Sequence, residues 1–228
     1  MTELWDGFTK AIELIVSLDP EVMQIAGRSL AFAATSCVIA ALISLPLGSI
    51  IHFNNFFGKR LLINVIQTLY SVPTVAVGLF VYVLLSRSGP LGGLGFLFSP
   101  PAIIIGQVLL VIPIITGLTI TALSGVDRTV TDTAISLGAS RFQAATLLTR
   151  EARFAILAGL IMGFGRVISE VGLSLMVGGN ISGFTRTLTT AISLETSKGE
   201  LELALALGII LIAIALVVNI TLNRLQQR

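Results

Sequence analysis

The sequence predicts an all-α integral membrane protein. Five transmembrane helices are expected, preceded by an amphipathic N-terminal helix, with a short cytoplasmic helix between spans three and four. Three observations carry this. Of 228 residues, 54% are hydrophobic and only 11% charged, less than half the roughly 25% of an average soluble domain. Mean hydropathy is +0.97. The apolar residues also gather into stretches long enough to cross a bilayer. This composition excludes a disordered chain and argues against a soluble enzyme.

The elements follow in order. Leu4, Trp5, Phe8, Ile12, Ile15 and Val16 recur at helical spacing opposite Glu3, Asp6, Lys10 and Glu13, which predicts a helix lying in the interface or against the bundle. The acidic start lacks a basic n-region, so no cleavable signal peptide is expected. Asp19-Pro20 starts a helix, with Asp as N-cap and Pro in the first helical position. Spans are expected over residues 29–51, 61–85, 101–123, 152–176 and 201–223. Each has 23 to 25 residues, enough at about 1.5 Å per residue to cross a core of ~30 Å. Pro46, Pro73 and Pro113 fall inside the first three and should each kink its helix. Gly159 and Gly163, with Gly165 beyond, allow another helix to approach closely, within the subunit or across a dimer. No internal repeat is visible, so residues 1–228 form a single domain.

The cytoplasmic loop, residues 124–151, has its own structure. Thr129 is positioned to cap a short helix carrying Asp132, Ala134, Ile135 and Leu137, which Gly138 ends in a left-handed conformation. Ser140 to Gln143 reads as a capping box opening a second helix through Phe142, Ala145, Leu147 and Leu148 towards span four.

Charge sets the expected topology. With the loop after span one inside, the cytoplasmic side carries Lys59, Arg60, Arg128, Arg141, Arg150, Arg153, Arg224 and Arg228. The other side carries Lys10, Arg28, Arg87, Arg186 and Lys198. The positive-inside rule then favours an external N-terminus and a cytoplasmic C-terminus. A single cysteine, Cys37, permits no intrachain disulfide, and a single histidine, His52, no histidine-based metal site. Both are read as structural. Fourteen scattered basic residues make no nucleic-acid footprint.

Few residues carry chemistry. Arg166 and Glu170 lie one turn apart inside span four, where each charge costs roughly 2.5–3.5 kcal/mol, so they should face protein or water. They are either a neutralised packing pair or part of a gate. In Ser71-Val72-Pro73-Thr74, hydroxyls flank a helix-breaking proline, which makes this a pathway candidate. The polar loop at residues 178–199, with Asn180 and Arg186, has the composition of a solvated loop, an oxyanion-binding loop or a docking face. The loop helix is either a surface helix or a knob for a partner's groove.

Several stretches resemble a known family. Asp132-Thr133-Ala134, three residues and then Gly138 looks like the Glu-Ala-Ala-xxx-Gly signature of permease subunits of binding-protein-dependent ABC importers. Asp stands for Glu and Thr for the first Ala. The family's usual Leu-Pro is replaced by Thr149-Arg150-Glu151, so the second helix should continue into the span. Ile156 to Gly159 with Gly165-Arg166 and Ser169 to Gly172, the Gly179 to Gly183 loop followed by Thr185 to Leu188, and Ser86 to Gly92 resemble molybdate, tungstate and sulfate permeases. The stretch Leu188 to Gly199 looks most like tungstate permeases.

The resemblance implies that Asp132, Thr133, Ala134, Ile135, Leu137 and Gly138 belong to a coupling helix seated in a cleft of an ATPase. It also implies that the chain passes an oxyanion, most like tungstate, with molybdate or sulfate as alternatives. Implied partners are a second copy, a cytoplasmic ATP-binding subunit and an extracytoplasmic binding protein. Without a GxxxxGK[ST] motif, the chain should hold no cofactor of its own, ATP and Mg being bound by the ATPase. Two other classes compete. An intramembrane enzyme needs paired carboxylates, a Ser/His arrangement or a metal cluster within the spans, where Glu170 is the only acid expected to be buried and His52 stands at a span end. A channel or secondary transporter should act alone and favours inverted halves.

Overall fold

The computed structural model describes residues 2–226, without the side chains of residues 2–4, 222, 223, 225 and 226. Glu3 and Leu4 of the amphipathic pattern, and Arg228 of the charge count, therefore lie outside the described residues and side chains. No strand occurs among the described residues. The helices are α1 (Thr2–Val16), α2 (Pro20–Phe53), α3 (Lys59–Thr68), α4 (Thr74–Leu85), α5 (Pro100–Ser124), α6 (Arg128–Ser136), α7 (Arg141–Glu151), α8 (Arg153–Ile168), α9 (Gly172–Gly178), α10 (Leu188–Lys198) and α11 (Leu201–Gln226).

Helix α1 forms where its periodicity says, but it docks by its narrow side. Gly7, Ala11 and Leu14 are buried, and a Cβ at Gly7 would come within 2.7 Å of Leu205 Cβ on α11. Trp5, Phe8, Ile12, Ile15 and Val16 stay exposed. Small residues let the helix backbones approach, and the large apolar ones are left for lipid. Helix α2 starts at Pro20 because the Asp19 carboxylate accepts the Val22 N–H at 3.0 Å. It thus begins nine residues before the expected span.

The centre of the bundle is α5, which packs on α2, α3, α4, α8 and α9. A dry polar pair joins it to α2, where the Ser36 hydroxyl donates to Gln107 Oε1 at 2.8 Å and both side chains are buried. The Gly159 and Gly163 spacing serves packing within the subunit. Cβ atoms there would lie 3.0 Å from Leu118 Cβ and 2.9 Å from Val111 Cγ2, both on α5.

Two of the five expected spans are not single helices. Residues 59–71 and α4 meet at 97°, and α8 and α9 at 59°. Among the described residues, three helices alone are long and apolar enough to cross a membrane, and five spans result only if each bent pair counts as one. Pro73 is the cause of the first break. A proline disfavours helix at the preceding residue, and Val72 is extended (φ −62°, ψ 130°). Pro73 therefore separates two helices, whereas Pro46 and Pro113 sit inside unbroken ones.

The loop between α5 and α8 folds as two helices around a glycine corner. Its first cap is Asp127 rather than Thr129, the Asp127 carboxylate accepting the Thr129 N–H at 2.9 Å. Gly138 adopts φ +87°. The Gly138 N–H donates to Ile135 O and the Ala139 N–H to Ala134 O, at 2.9 and 3.0 Å, the paired bonds of a Schellman ending. Ser140 and Gln143 form the capping box. Only Ala152 interrupts the passage from α7 to α8, and its carbonyl still accepts the Ile156 N–H at 2.9 Å.

The Asp127 cap makes the start of α6 sensitive to pH. The Thr129 backbone N–H holds the Asp127 carboxyl below its usual 3.8. A depressed carboxylate contributes stability above its unfolded pKa and loses it as pH falls through the folded value. Amide exchange over residues 128–136 should therefore hold steady from neutral pH to about 5, after correction for intrinsic rates, and quicken only below about 4. In Asp127→Ala it should be fast throughout. A pH-independent difference between wild type and variant down to about pH 2 would contradict this cap.

Candidate functional site

The two breaks meet. Helices α4 and α9 pack together, and glycines set their spacing. A Cβ on Gly78 would lie 3.0 Å from Leu173 Cα. One on Gly172 would lie 3.0 Å from Val75 Cγ2 and 3.6 Å from Thr74 Oγ1. The same point on Gly172 is 3.8 Å from Glu170 Oε1. Thr74 and Glu170, from spans far apart in sequence, are thus brought to one place. Ser71 and Pro73 are exposed beside them.

Glu170 is the hub of this junction. It lies in the gap between α8 and α9, its side chain 2% exposed, and its Oε2 accepts Arg166 Nη1 at 2.9 Å. Its Oε1 accepts the Leu173 N–H at 3.0 Å. One carboxylate therefore balances a cation and caps the first turn of α9, where the helix dipole favours negative charge. Arg166 remains about one-third exposed. The pair is neutral as a unit, which removes most of the cost of two isolated charges at membrane depth.

A further polar face was not singled out from the sequence. Arg60, Asn64 and Gln67 on α3, with Ser71 beyond it, recur at helical spacing and are all exposed. Ile63, Ile66 and Tyr70 turn towards Ile51 and Ile120, while Leu61, Leu62, Val65 and Leu69 form a third, exposed apolar face. The signal was available as a 4-then-3 spacing of polar residues within an apolar stretch. The break hid it, because a single span centred on Pro73 reads as uniformly apolar.

On the loop, α6 packs against α7. Ala134 is buried, so it faces inwards and not towards any partner. Ile135 (54% exposed) and Leu137 (84%) project outwards, as does Phe142 (81%) just beyond the Gly138 corner. Asp132, Thr133 and Gly138 are exposed too.

The polar loop at residues 178–199 is largely not a solvated loop. Residues 188–198 form α10, and Thr185, Thr187, Thr189 and Thr190 are all at most 6% exposed. Hydroxyls that satisfy backbone groups locally let a polar sequence fold inwards. Asn180 Nδ2 donates to Thr190 O at 3.4 Å. Arg186 Nη1 lies 3.5 Å from Glu21 Oε1, and Arg28 Nε donates to Arg186 O at 3.3 Å. Both candidates are thus built into contacts with α2 and α10. Among the described residues, no three His, Cys, Asp or Glu side chains gather into a metal site.

Two bent apolar spans meet at a neutralised ion pair, and an exposed helical corner stands in the loop between α5 and α8; comparison with known proteins gives this arrangement its class, a membrane permease subunit. The chain belongs to the family of binding-protein-dependent transport system inner membrane components, whose model matches residues 44–228. It is a multi-pass membrane protein of that family and a transporter subunit. It is 40% identical, over 100% of both chains, to the tungstate uptake system permease protein TupB of Peptoclostridium acidaminophilum. It is 38% identical to the TupB of Campylobacter jejuni, over 86% of this chain and 82% of the relative. Among solved structures, a bacterial alginate ABC transporter in complex with an alginate pentasaccharide-bound periplasmic protein aligns with a TM-score of 0.76. That match covers 100% of this chain and 87% of the other at 20% identity, a likeness of fold.

Proposed function

We propose that this chain is the transmembrane subunit of an ABC importer that passes tungstate across the cytoplasmic membrane. The carrying observation is the 40% identity over the full length of both chains to a tungstate permease. In this reading the N-terminus is external and the C-terminus cytoplasmic. Two copies face each other, and the paired breaks around Pro73 and Glu170 form the gated part of the route. An extracytoplasmic binding protein delivers the ion near Asn180 and Arg186. ATP and Mg are held by a separate ATPase, whose cleft receives α6 through Asp132, Thr133, Ile135, Leu137 and Gly138, with Ala134 packing behind them.

The chemistry suits weak holding. Arg166 is neutralised by Glu170, so an oxyanion at the junction meets hydroxyls and one shared guanidinium rather than a free cation. Selectivity then belongs mainly to the binding protein. Coupling is mechanical: closure of the ATPase draws the two α6 corners together, and the broken spans change their angle.

The test is ATP hydrolysis by the subunit assembled with its ATPase in liposomes. Tungstate-loaded binding protein should stimulate it several-fold, more than molybdate- or sulfate-loaded protein. Equal stimulation by all three would overturn tungstate as the substrate. Ion flux through the subunit alone would overturn the importer reading.

A further inference from the structure

The segment Thr185 to Thr190 is a buried hydroxyl cluster, and most of its bonds have local tasks. Thr185 donates to Gly178 O at 2.6 Å and accepts the Ile181 N–H at 2.9 Å, closing the loop. Thr190 Oγ1 accepts the Thr187 N–H at 2.9 Å, part of the capping box of α10. Ser29 on α2 accepts the Leu188 N–H at 2.8 Å, fixing that end of α10 to the bundle. Thr189 is different. Its hydroxyl, 3.1 Å from that of Thr187, donates to the Glu170 carbonyl at 2.8 Å, and its side chain is buried.

This bond closes a chain. From Arg28 and Ser29 on α2 it passes through Arg186 and Leu188 to Thr189, then to Glu170, which holds Arg166 and the first turn of α9. Glu170 lies in the gap between α8 and α9; its N–H turns back to Val167 O at 3.1 Å, and its carbonyl is the group that reaches α10. Without the Thr189 donor, a buried carbonyl is left unsatisfied, and among the described residues no other hydrogen bond joins the gap to α10.

We propose that Thr189 is a positioning residue that locks the α8–α9 break to the N-terminus of α10. A displacement of the 179–187 segment then moves Glu170 and Arg166 with it. The inference rests on the reading above, in which that break belongs to the transport route. It adds the link by which an event on the outer loop reaches the route.

The test uses the complete complex in detergent, with Cys37→Ser to remove the native thiol and Ser169→Cys as a reporter, since Ser169 is exposed at the break. Thr189→Val keeps the shape and removes the donor. It should raise labelling of the reporter by a water-soluble maleimide about fivefold, the scale of one net hydrogen bond. In the same complex without the reporter, it should cut stimulation by tungstate-loaded binding protein about fivefold. Thr189→Ser, which keeps the donor, should stay within about twofold of wild type in both readouts.

Wild-type labelling in Thr189→Val overturns the lock, and wild-type stimulation beside raised labelling overturns the transmission. Failure of Thr189→Ser to restore both readouts assigns the effect to packing and also overturns it. If Thr189→Val does not fold, Thr189→Ala removes the same donor and is read in the same way. If the wild-type complex is not stimulated at all, the importer reading fails, and labelling alone decides the lock.

Discussion

Glu170→Ala should lower the thermal unfolding midpoint of the detergent-solubilised subunit by roughly 6–12 °C. The buried carboxylate holds Arg166 and the Leu173 N–H, the backbone carbonyl accepts from Thr189, and only the carboxylate contacts are lost. Removing one member of a buried pair costs about 3–5 kcal/mol. Arg166 is one-third exposed and regains some hydration, so the lower end applies, about 3 kcal/mol. At about 2–4 °C per kcal/mol for a chain of this size, the range above follows. Glu170→Gln keeps an acceptor for the Leu173 N–H and loses only the charge, so it should fall about half as far. Arg166→Ala strands the carboxylate and should resemble Glu170→Ala. The double variant should be less destabilised than the sum of the two. A Glu170→Ala midpoint within a degree or so of wild type would remove this pair from the structural core of the junction.

Leu137→Asp should leave the subunit folded and weaken its association with the ATPase by about 30-fold or more. Leu137 is 84% exposed, so the fold does not depend on its side chain. An apolar anchor in a groove is worth about 2 kcal/mol or more, and each 1.4 kcal/mol is tenfold in affinity. Ile135→Asp should act in the same direction. Ala134→Arg is a poor probe of docking, because Ala134 is buried and the arginine would break α6 away from α7. The measurement is affinity for the purified ATPase in detergent, beside unfolding of the subunit. Wild-type affinity in both aspartate variants would overturn α6 as the coupling surface.

The loop was the most legible part. Gly138, Ser140 and Gln143 act within a few residues of chain, and local hydrogen bonds decide them whatever packs nearby. One cap was misplaced, to Thr129 instead of Asp127, because both residues can cap and a single residue separates them. The spans were legible as apolar mass and less so as shape. Hydropathy is an average over a window, and it registers neither the extended Val72 nor the gap at Glu170.

The spacing of α1 left open, for a related reason, whether its large apolar side meets the interface or the bundle. Amphipathic spacing assumes that the large apolar side is the packed side, which holds in water. In a bilayer, lipid accepts Trp5 and Ile12 as well as protein does, so close packing selects Gly7 and Ala11 instead. The polar composition of residues 178–199 fits a solvated loop, an oxyanion-binding loop and a docking face alike. The burial of its threonines goes with long-range bonds, Thr189 to Glu170 19 residues away and the neighbouring Leu188 to Ser29 159 residues away.

What the sequence by itself determined is the class of protein: a helical membrane chain, with the start of α2, the capping box at Ser140, the glycine corner and the residues able to carry charge across apolar depth. These rest on composition and on interactions within a turn or two of helix. Only the tertiary structure decided which of them meet. It bent two spans, set Thr74 beside Glu170, turned Ala134 inwards and Leu137 outwards, and tied Thr189 to the break. Those outcomes depend on contacts between residues distant in the chain, where glycines permit close approach and most buried polar groups find partners.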